Sequence, residues 1–157
     1  MDKTTFEQLY RDMLPGLYRL AQSMLRQTSD AQDAVQQAAV KAWLSLERIR
    51  PGGERAYFTR IVINECRNIQ RHRRRVLPTD RQAEAADPVH PDSELKAVVD
   101  SLPETLRLPL LLRYMEGYTE AEAAAILRIS RNTLRARLKR ARAKLRDEWM
   151  ETQEETI

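Results

Sequence analysis

Thr119-Glu120-Ala121-Glu122-Ala123-Ala124-Ala125-Ile126-Leu127-Arg128-Ile129-Ser130-Arg131-Asn132-Thr133-Leu134-Arg135-Ala136-Arg137-Leu138-Lys139-Arg140 is the stretch on which the fold turns. Thr119 with Glu122 spells a capping box, in which each residue's side chain satisfies the other's backbone amide. The Ala-rich run to Leu127 is a short helix able to lie close against a neighbour. Arg128-Ile129-Ser130 is too short for anything but a tight turn, and Ser130 is placed as the N-cap of a second, longer helix. That second helix buries Leu134, Leu138, Ala141, Leu145 and Trp149 and leaves its cations outside. A short helix, a tight turn and a second helix with polar residues at its start is a layout that fits a DNA major groove.

Residue chemistry on that second helix supports a base-reading role. Arg131, Asn132 and Thr133 occupy its first turn, and Arg135 stands one turn further on. Arginine suits guanine O6 and N7, and asparagine suits adenine. Ala136, Arg137, Lys139 and Arg140 complete the candidate DNA-binding set, the later cations facing phosphates. An amphipathic bundle helix with a solvated cationic face is the competing reading. A calmodulin-type or membrane-surface helix would leave the preceding helix and turn without purpose.

Charge is segregated along the whole chain. Among 157 residues there are 27 Lys+Arg and 23 Asp+Glu, a net charge of only +4. Residues 128–146 nevertheless carry nine basic side chains and no acid, and residues 51–75 carry seven basic and two acidic. Residues 76–94 reverse this with five acidic and one basic, and residues 147–157 hold five acids and no base. Cationic blocks of this kind suit a polyanion, because neutralised phosphates release counterions.

Outside the helix-turn-helix the apolar spacing is helical throughout, and no stretch alternates as a half-buried strand does. Phe6, Leu9, Tyr10, Met13, Leu17, Tyr18, Ala21, Met24 and Leu25 form one stripe. Pro15 lies within it and predicts a break or kink between two helices. Ser29 with Gln32 predicts a capping box opening a helix through Ala31, Ala34, Val35, Ala38, Ala42, Trp43 and Leu46, which Arg50-Pro51-Gly52-Gly53 stops. The next helix carries Ala56, Tyr57, Phe58, Ile61, Val62 and Ile69 and ends in Arg71-His72-Arg73-Arg74-Arg75. Residues 76–91, with three prolines and no apolar face, read as a linker. Leu95, Val98, Val99 and Leu102 then make a stripe, followed by Leu106, Leu110, Leu111 and Tyr114 after Pro103. Pro109 is expected to kink or shorten that helix, and Gly117 to close it in the left-handed conformation. The prediction is an all-α chain of two small helical domains, 1–75 and 92–147. The acidic tail 148–157 is expected to be solvated and disordered rather than folded back as a weak shield on the basic helix.

Several function classes are excluded. Four glycines fall outside any phosphate-loop spacing. A single cysteine, Cys66, allows no internal disulfide and suits a reducing cytosol. His72 and His90 are the only histidines, so zinc ligation at the usual spacing is not written here. No nucleophile–base pair converges, and neither catalysis nor a cofactor is expected. No apolar run approaches the ~18 residues of a membrane span, and Met1–Tyr10 lacks the core of a signal peptide.

With these elements in place, the chain resembles the extracytoplasmic-function (ECF, group 4) sigma factors of bacterial RNA polymerase over about residues 4–147. The resemblance is carried by Ser29-Asp30-Ala31-Gln32-Asp33-Ala34-Val35-Gln36-Gln37-Ala38, by Ala56-Tyr57-Phe58-Thr59-Arg60-Ile61-Val62-Ile63-Asn64, by Leu102-Pro103-Glu104 with Leu112-Arg113-Tyr114-Met115-Glu116-Gly117, and by Thr133–Arg142. It implies a sigma region 2 domain that binds the β′ clamp helices of core RNA polymerase and the −10 element. It also implies a region 4 domain that binds the β-flap and the −35 element. Polymerase binding would fall on Asp30, Asp33, Gln36 and Gln37, and −10 DNA on Asn64, Arg67, Asn68, Arg71 and Arg74. Tyr57 and Phe58 are candidates for base stacking, although their helical spacing also suits a core. Promoter DNA, core polymerase and an anti-sigma protein are the implied partners, the cytoplasm the implied location. Family members usually carry glycine where Arg128 stands. If the turn needs φ > 0 there, the side chain costs about 1 kcal/mol. Acids are usual at Gln37 and frequent at Gln32, so the clamp-facing surface is less acidic than is common.

Two other readings are open on sequence alone. One is a free-standing dimeric helix-turn-helix regulator, with the first 75 residues as a dimerisation or ligand domain. The other is an interaction protein that binds polymerase without directing it.

Overall fold

A computed structural model describes residues 1–76 and 94–156, whose regular elements are all helices, with no strand among them. The chain divides into two compact units, Met1–Asp87 and Pro88–Ile157. The expected linker lies outside the described residues except for Val76, and so does His90.

The first unit is built from α1 (Lys3–Leu25), α2 (Thr28–Leu44) and α3 (Glu54–Val76), each packed on the other two. Asp2 starts α1 by accepting the Thr5 amide at 2.7 Å. The expected break at Pro15 does not occur, and α1 is one helix with Pro15 inside it. The energies account for this. A mid-helix proline costs about 3 kcal/mol, whereas Phe6, Tyr10, Leu17, Leu20, Met24 and Leu25 are all buried and contribute about 1.5–3 kcal/mol each. Pro15 is also exposed, so water can solvate the carbonyl it leaves without a donor. Arg26 ends α1 with φ 64°. The Ser29–Gln32 capping box is not formed either: α2 begins two residues earlier than that cap would set it, at Thr28, behind an extended Gln27 whose side chain makes no cap bond.

Small residues set the spacing of this unit. Ala31, Ala34, Ala38 and Ala42 line the buried side of α2, letting its backbone approach its neighbours. Phe6, Tyr10 and Phe58 pack with ring centroids 5.4–5.7 Å apart, and Trp43 meets Phe6 edge-on at 5.4 Å. The buried Tyr10 hydroxyl donates to the Val35 carbonyl at 2.6 Å. Burial pushes its phenol well above the ordinary value.

The second unit consists of α4 (Glu94–Ser101), α5 (Glu104–Leu110), a wide π-type turn (Leu111–Met115), α6 (Glu120–Leu127) and α7 (Arg131–Thr156). The other three helices all pack on α7. Pro109 has no amide to give the helix ladder, and the spacing widens just after it: the Glu116 amide reaches Leu111 and the Tyr118 amide reaches Leu112, both at 3.0 Å. Gly117, at φ +74°, makes the reversal. The buried face through α5 and this turn differs from the expected stripe. Arg107, Leu108, Pro109, Leu110 and Leu112 are buried, while Tyr114 is 57% exposed. Buried Arg107 donates to the Leu102 carbonyl at 2.5 Å and closes the end of α4.

The acidic tail is the largest departure from expectation. It neither frays nor folds back, because α7 continues through Thr156. No glycine or proline interrupts residues 131–156. Trp149 is half-buried and Glu148 accepts from the Ser101 hydroxyl at 2.8 Å, so the extension is fastened to α4.

Candidate nucleic-acid interface

The turn between α6 and α7 is defined by hydrogen bonds at both ends. Thr119 and Glu122 form the expected reciprocal box, at 3.0 and 3.1 Å. Arg128 takes φ 57° and ψ 45°, so the cost raised for a non-glycine residue at this position applies. The Ile129 amide turns back to the Ala124 carbonyl at 3.0 Å. Ser130 Oγ accepts the Thr133 amide at 3.1 Å and donates to Thr133 Oγ1 at 2.8 Å. Ser130 is therefore the predicted N-cap, and it also occupies the Thr133 hydroxyl.

Leu134, Leu138 and Ala141 are buried, which fixes the orientation of α7. Arg131, Asn132, Arg135, Ala136, Lys139 and Arg140 are exposed, and Arg137 and Thr133 are half-buried at the flank. The outward face is thus polar and small at its first turn and cationic after it.

The partner of one member of this face was not legible in the sequence. Arg135 Nε donates to Glu120 Oε2 at 2.7 Å, across 15 residues of chain. The Arg135 hydrogen bond, with the nearby charges of Arg135, Arg113 and Arg131, holds the Glu120 carboxyl below its usual range. A glutamate in a helix's first turn reads as a complement to the helix dipole, and nothing local names its partner. Arg142 likewise donates to the Tyr114 hydroxyl at 2.8 Å.

The second cationic surface lies on α3. Its core side is Phe58, Thr59, Val62, Ile63, Glu65 and Cys66. Asn64, Arg67, Asn68, Arg71 and Arg74 recur at three- and four-residue intervals away from that side, Asn68, Arg71 and Arg74 exposed and the other two half-buried. Arg71 donates to Asn68 Oδ1. Phe58 has no exposed surface and packs against Phe6 and Tyr10, which removes it as a stacking platform; Tyr57 is half-buried. Cys66 is fully buried.

On α2, Asp33, Gln36 and Gln37 are exposed and share a face with Val40 and with Leu44, the latter 78% exposed. Asp30 is set apart from them: it is half-buried and paired with Arg73 of α3. Among the described residues no cluster of three or more His, Cys, Asp or Glu is able to hold a metal ion. No described helix is long and apolar enough to cross a membrane.

Comparison with known proteins agrees with this geometry. Residues 9–76 match Sigma-70 region 2, and residues 92–145 match Sigma-70, region 4. Over 155 residues the chain is 30% identical to the ECF RNA polymerase sigma factor SigM of Mycobacterium tuberculosis, covering 92% of this chain and 76% of that one. The chain belongs to the ECF sigma factors. This ECF sigma factor is also 29% identical to SigE of Mycolicibacterium smegmatis over 156 residues, covering 91% of its own length and 61% of the relative's. Among solved structures it is similar to the sigma factor RpoE in complex with the anti-sigma factor NepR from Bartonella quintana. The TM-score is 0.78 at 26% identity, covering 91% of this chain and 95% of that one. In sigma-factor terms, α1–α3 make region 2 and α4–α7 make region 4. The paired Arg135 and Glu120 belong to the region 4 helix-turn-helix.

Proposed function

We propose that this ECF sigma factor binds core RNA polymerase, directs it to promoters and assists their opening. In this reading region 4 lays α7 in the major groove of the −35 element. Asn132, Arg131, Arg135 and the Ala136 position meet base edges; Arg137, Lys139 and Arg140 meet phosphates. Region 2 meets the −10 element with Asn64, Arg67, Asn68, Arg71 and Arg74. A base that leaves the stack costs a few kcal/mol, and a polar pocket flanked by arginines offsets part of that cost. Asp33, Gln36 and Gln37 face the clamp helices of the β′ subunit, with Asp30 steadying the base of that helix through Arg73, while region 4 meets the β-flap. An anti-sigma protein is a further partner, since the RpoE match is a complex with one. The site of action is the bacterial cytoplasm, where promoter DNA lies.

The observation that carries this reading is the outward face of α7: exposed Arg131, Asn132, Arg135, Lys139 and Arg140 behind a capped first turn, over a buried Leu134–Leu138–Ala141 underside. Run-off transcription with core polymerase, a genomic promoter library and this chain is the test. Discrete start sites are expected only when the chain is added. Polymerase that initiates identically without it overturns the proposal.

A further inference from the structure

In a helix-turn-helix, an arginine on the second helix has a long side chain that serves any phosphate within reach as readily as one base. What makes it selective is whatever holds it. In this chain Arg135 is held from a different helix: its Nε donates to Glu120 Oε2 at 2.7 Å, although its side chain is 57% exposed. Resting on the promoter-binding reading above, we propose that Glu120 is a positioning residue for −35 recognition, aiming the outer edge of the Arg135 guanidinium at a guanine.

The geometry supports this in three ways. The guanidinium is a planar fork with five donors. With Nε taken by the carboxylate, the Nη pair remains at the far edge, and two parallel donors suit guanine O6 and N7. The holder is itself fixed, because Glu120 is the first residue of α6, inside the Thr119–Glu122 box, and Ala123 and Ala124 of the same helix are buried. A carboxylate on such a frame locates its partner better than one on a loop. Finally, the local charges permit an acid at a DNA surface. Arg113 and Arg131 lie near Glu120 together with Arg135, and Glu122 is occupied by the Thr119 amide. Glu120 is thus enclosed by cations and its repulsion of phosphate is muted.

The full chain bound to core polymerase is mixed with duplexes whose −35 segment is randomised, and the bound fraction is sequenced. The wild-type chain is expected to enrich one G·C pair, and Arg135→Ala to lose that preference about tenfold. Glu120→Ala is expected to lose most of the same preference, leaving the other positions and the affinity for random DNA within about twofold. Glu120→Gln keeps an oxygen that accepts from Nε and is expected to retain more than half of the preference. The double variant is expected to match Arg135→Ala alone. A uniform rise in affinity in Glu120→Ala and Glu120→Gln makes Glu120 a charge screen and overturns the proposal. So does an intact preference, or an equal loss at all positions in both variants. A wild-type chain that enriches nothing overturns the promoter-binding reading itself, an outcome distinct from any of these.

Discussion

Replacing Arg128 with glycine isolates one backbone angle. Arg128 sits at φ 57° and ψ 45° between α6 and α7 with its side chain exposed. A left-handed non-glycine residue costs about 1–2 kcal/mol. Glycine removes that cost but makes the unfolded chain more flexible, which returns about 0.4–1 kcal/mol. At the midpoints of these ranges the expected net gain for region 4 is about 0.8 kcal/mol. At about 4–8 °C per kcal/mol for a domain of this size, its melting point should rise by roughly 3–6 °C. Arg128→Ala provides the control, because alanine keeps the Cβ and its strain while removing the same charge. Amide hydrogen exchange at Ile126, Leu127, Leu134 and Leu138 in the full chain reads region 4 separately from region 2. Protection should increase in Arg128→Gly and stay near wild type in Arg128→Ala. Glycine no more protective than alanine would refute the assignment of strain to this turn. Both variants remove one cation beside the groove, so a change in DNA affinity common to the two reports charge and not backbone.

Other perturbations separate the remaining elements. Ser130→Ala deletes the cap on α7 and should cost about 1 kcal/mol, with exchange protection lost first at Thr133 and Leu134. Burial raises the folded pKa of Tyr10 above its unfolded value, so the stabilisation it brings is complete below about pH 10 and is lost as pH rises past that value. Urea midpoints of region 2 should therefore fall by the equivalent of about 1.4 kcal/mol per pH unit, and Tyr10→Phe should remove that one-proton component. Lys139→Ala should weaken binding equally on all promoter sequences and lower the salt slope by about 1, whereas a change confined to one −35 position would make Lys139 a base contact. Lysine at Asp33, Gln36 and Gln37 should weaken core polymerase binding without weakening DNA binding by the free chain; parallel loss of both would contradict the face assigned to α2.

Features that depend on neighbours in sequence were legible from it. The Thr119–Glu122 box, the Ser130 cap, the Gly117 reversal and the Leu134–Leu138–Ala141 stripe are each recognised within a single short window of neighbouring residues. The misreadings arose where tertiary burial outweighed a local signal. Pro15 carries a strong helix-breaking preference, yet it lies on an exposed side between two well-buried stretches of α1. Ser29 offers a good cap, but the left-handed Arg26 and extended Gln27 start α2 before it. The tail has an acidic, linker-like composition, while Trp149 and Glu148 are tied back to the domain. Pairings between distant residues left no trace at all. Arg135 with Glu120 and Arg73 with Asp30 are 15 and 43 positions apart, and charge patterning shows only that each sign is plentiful.

The uninterrupted length of α7 has an electrical consequence. At 26 residues it spans about 39 Å, cationic along its first two-thirds and anionic at its far end. That length is several times the roughly 8–10 Å over which physiological salt screens a charge, so the two ends respond to a polyanion independently. One is drawn toward the duplex while the other is pushed away, which exerts a torque on region 4 before any atom touches. The helix works as a compass needle: arrivals with the capped turn leading are favoured over arrivals tail first, and the bias should fade as ionic strength increases.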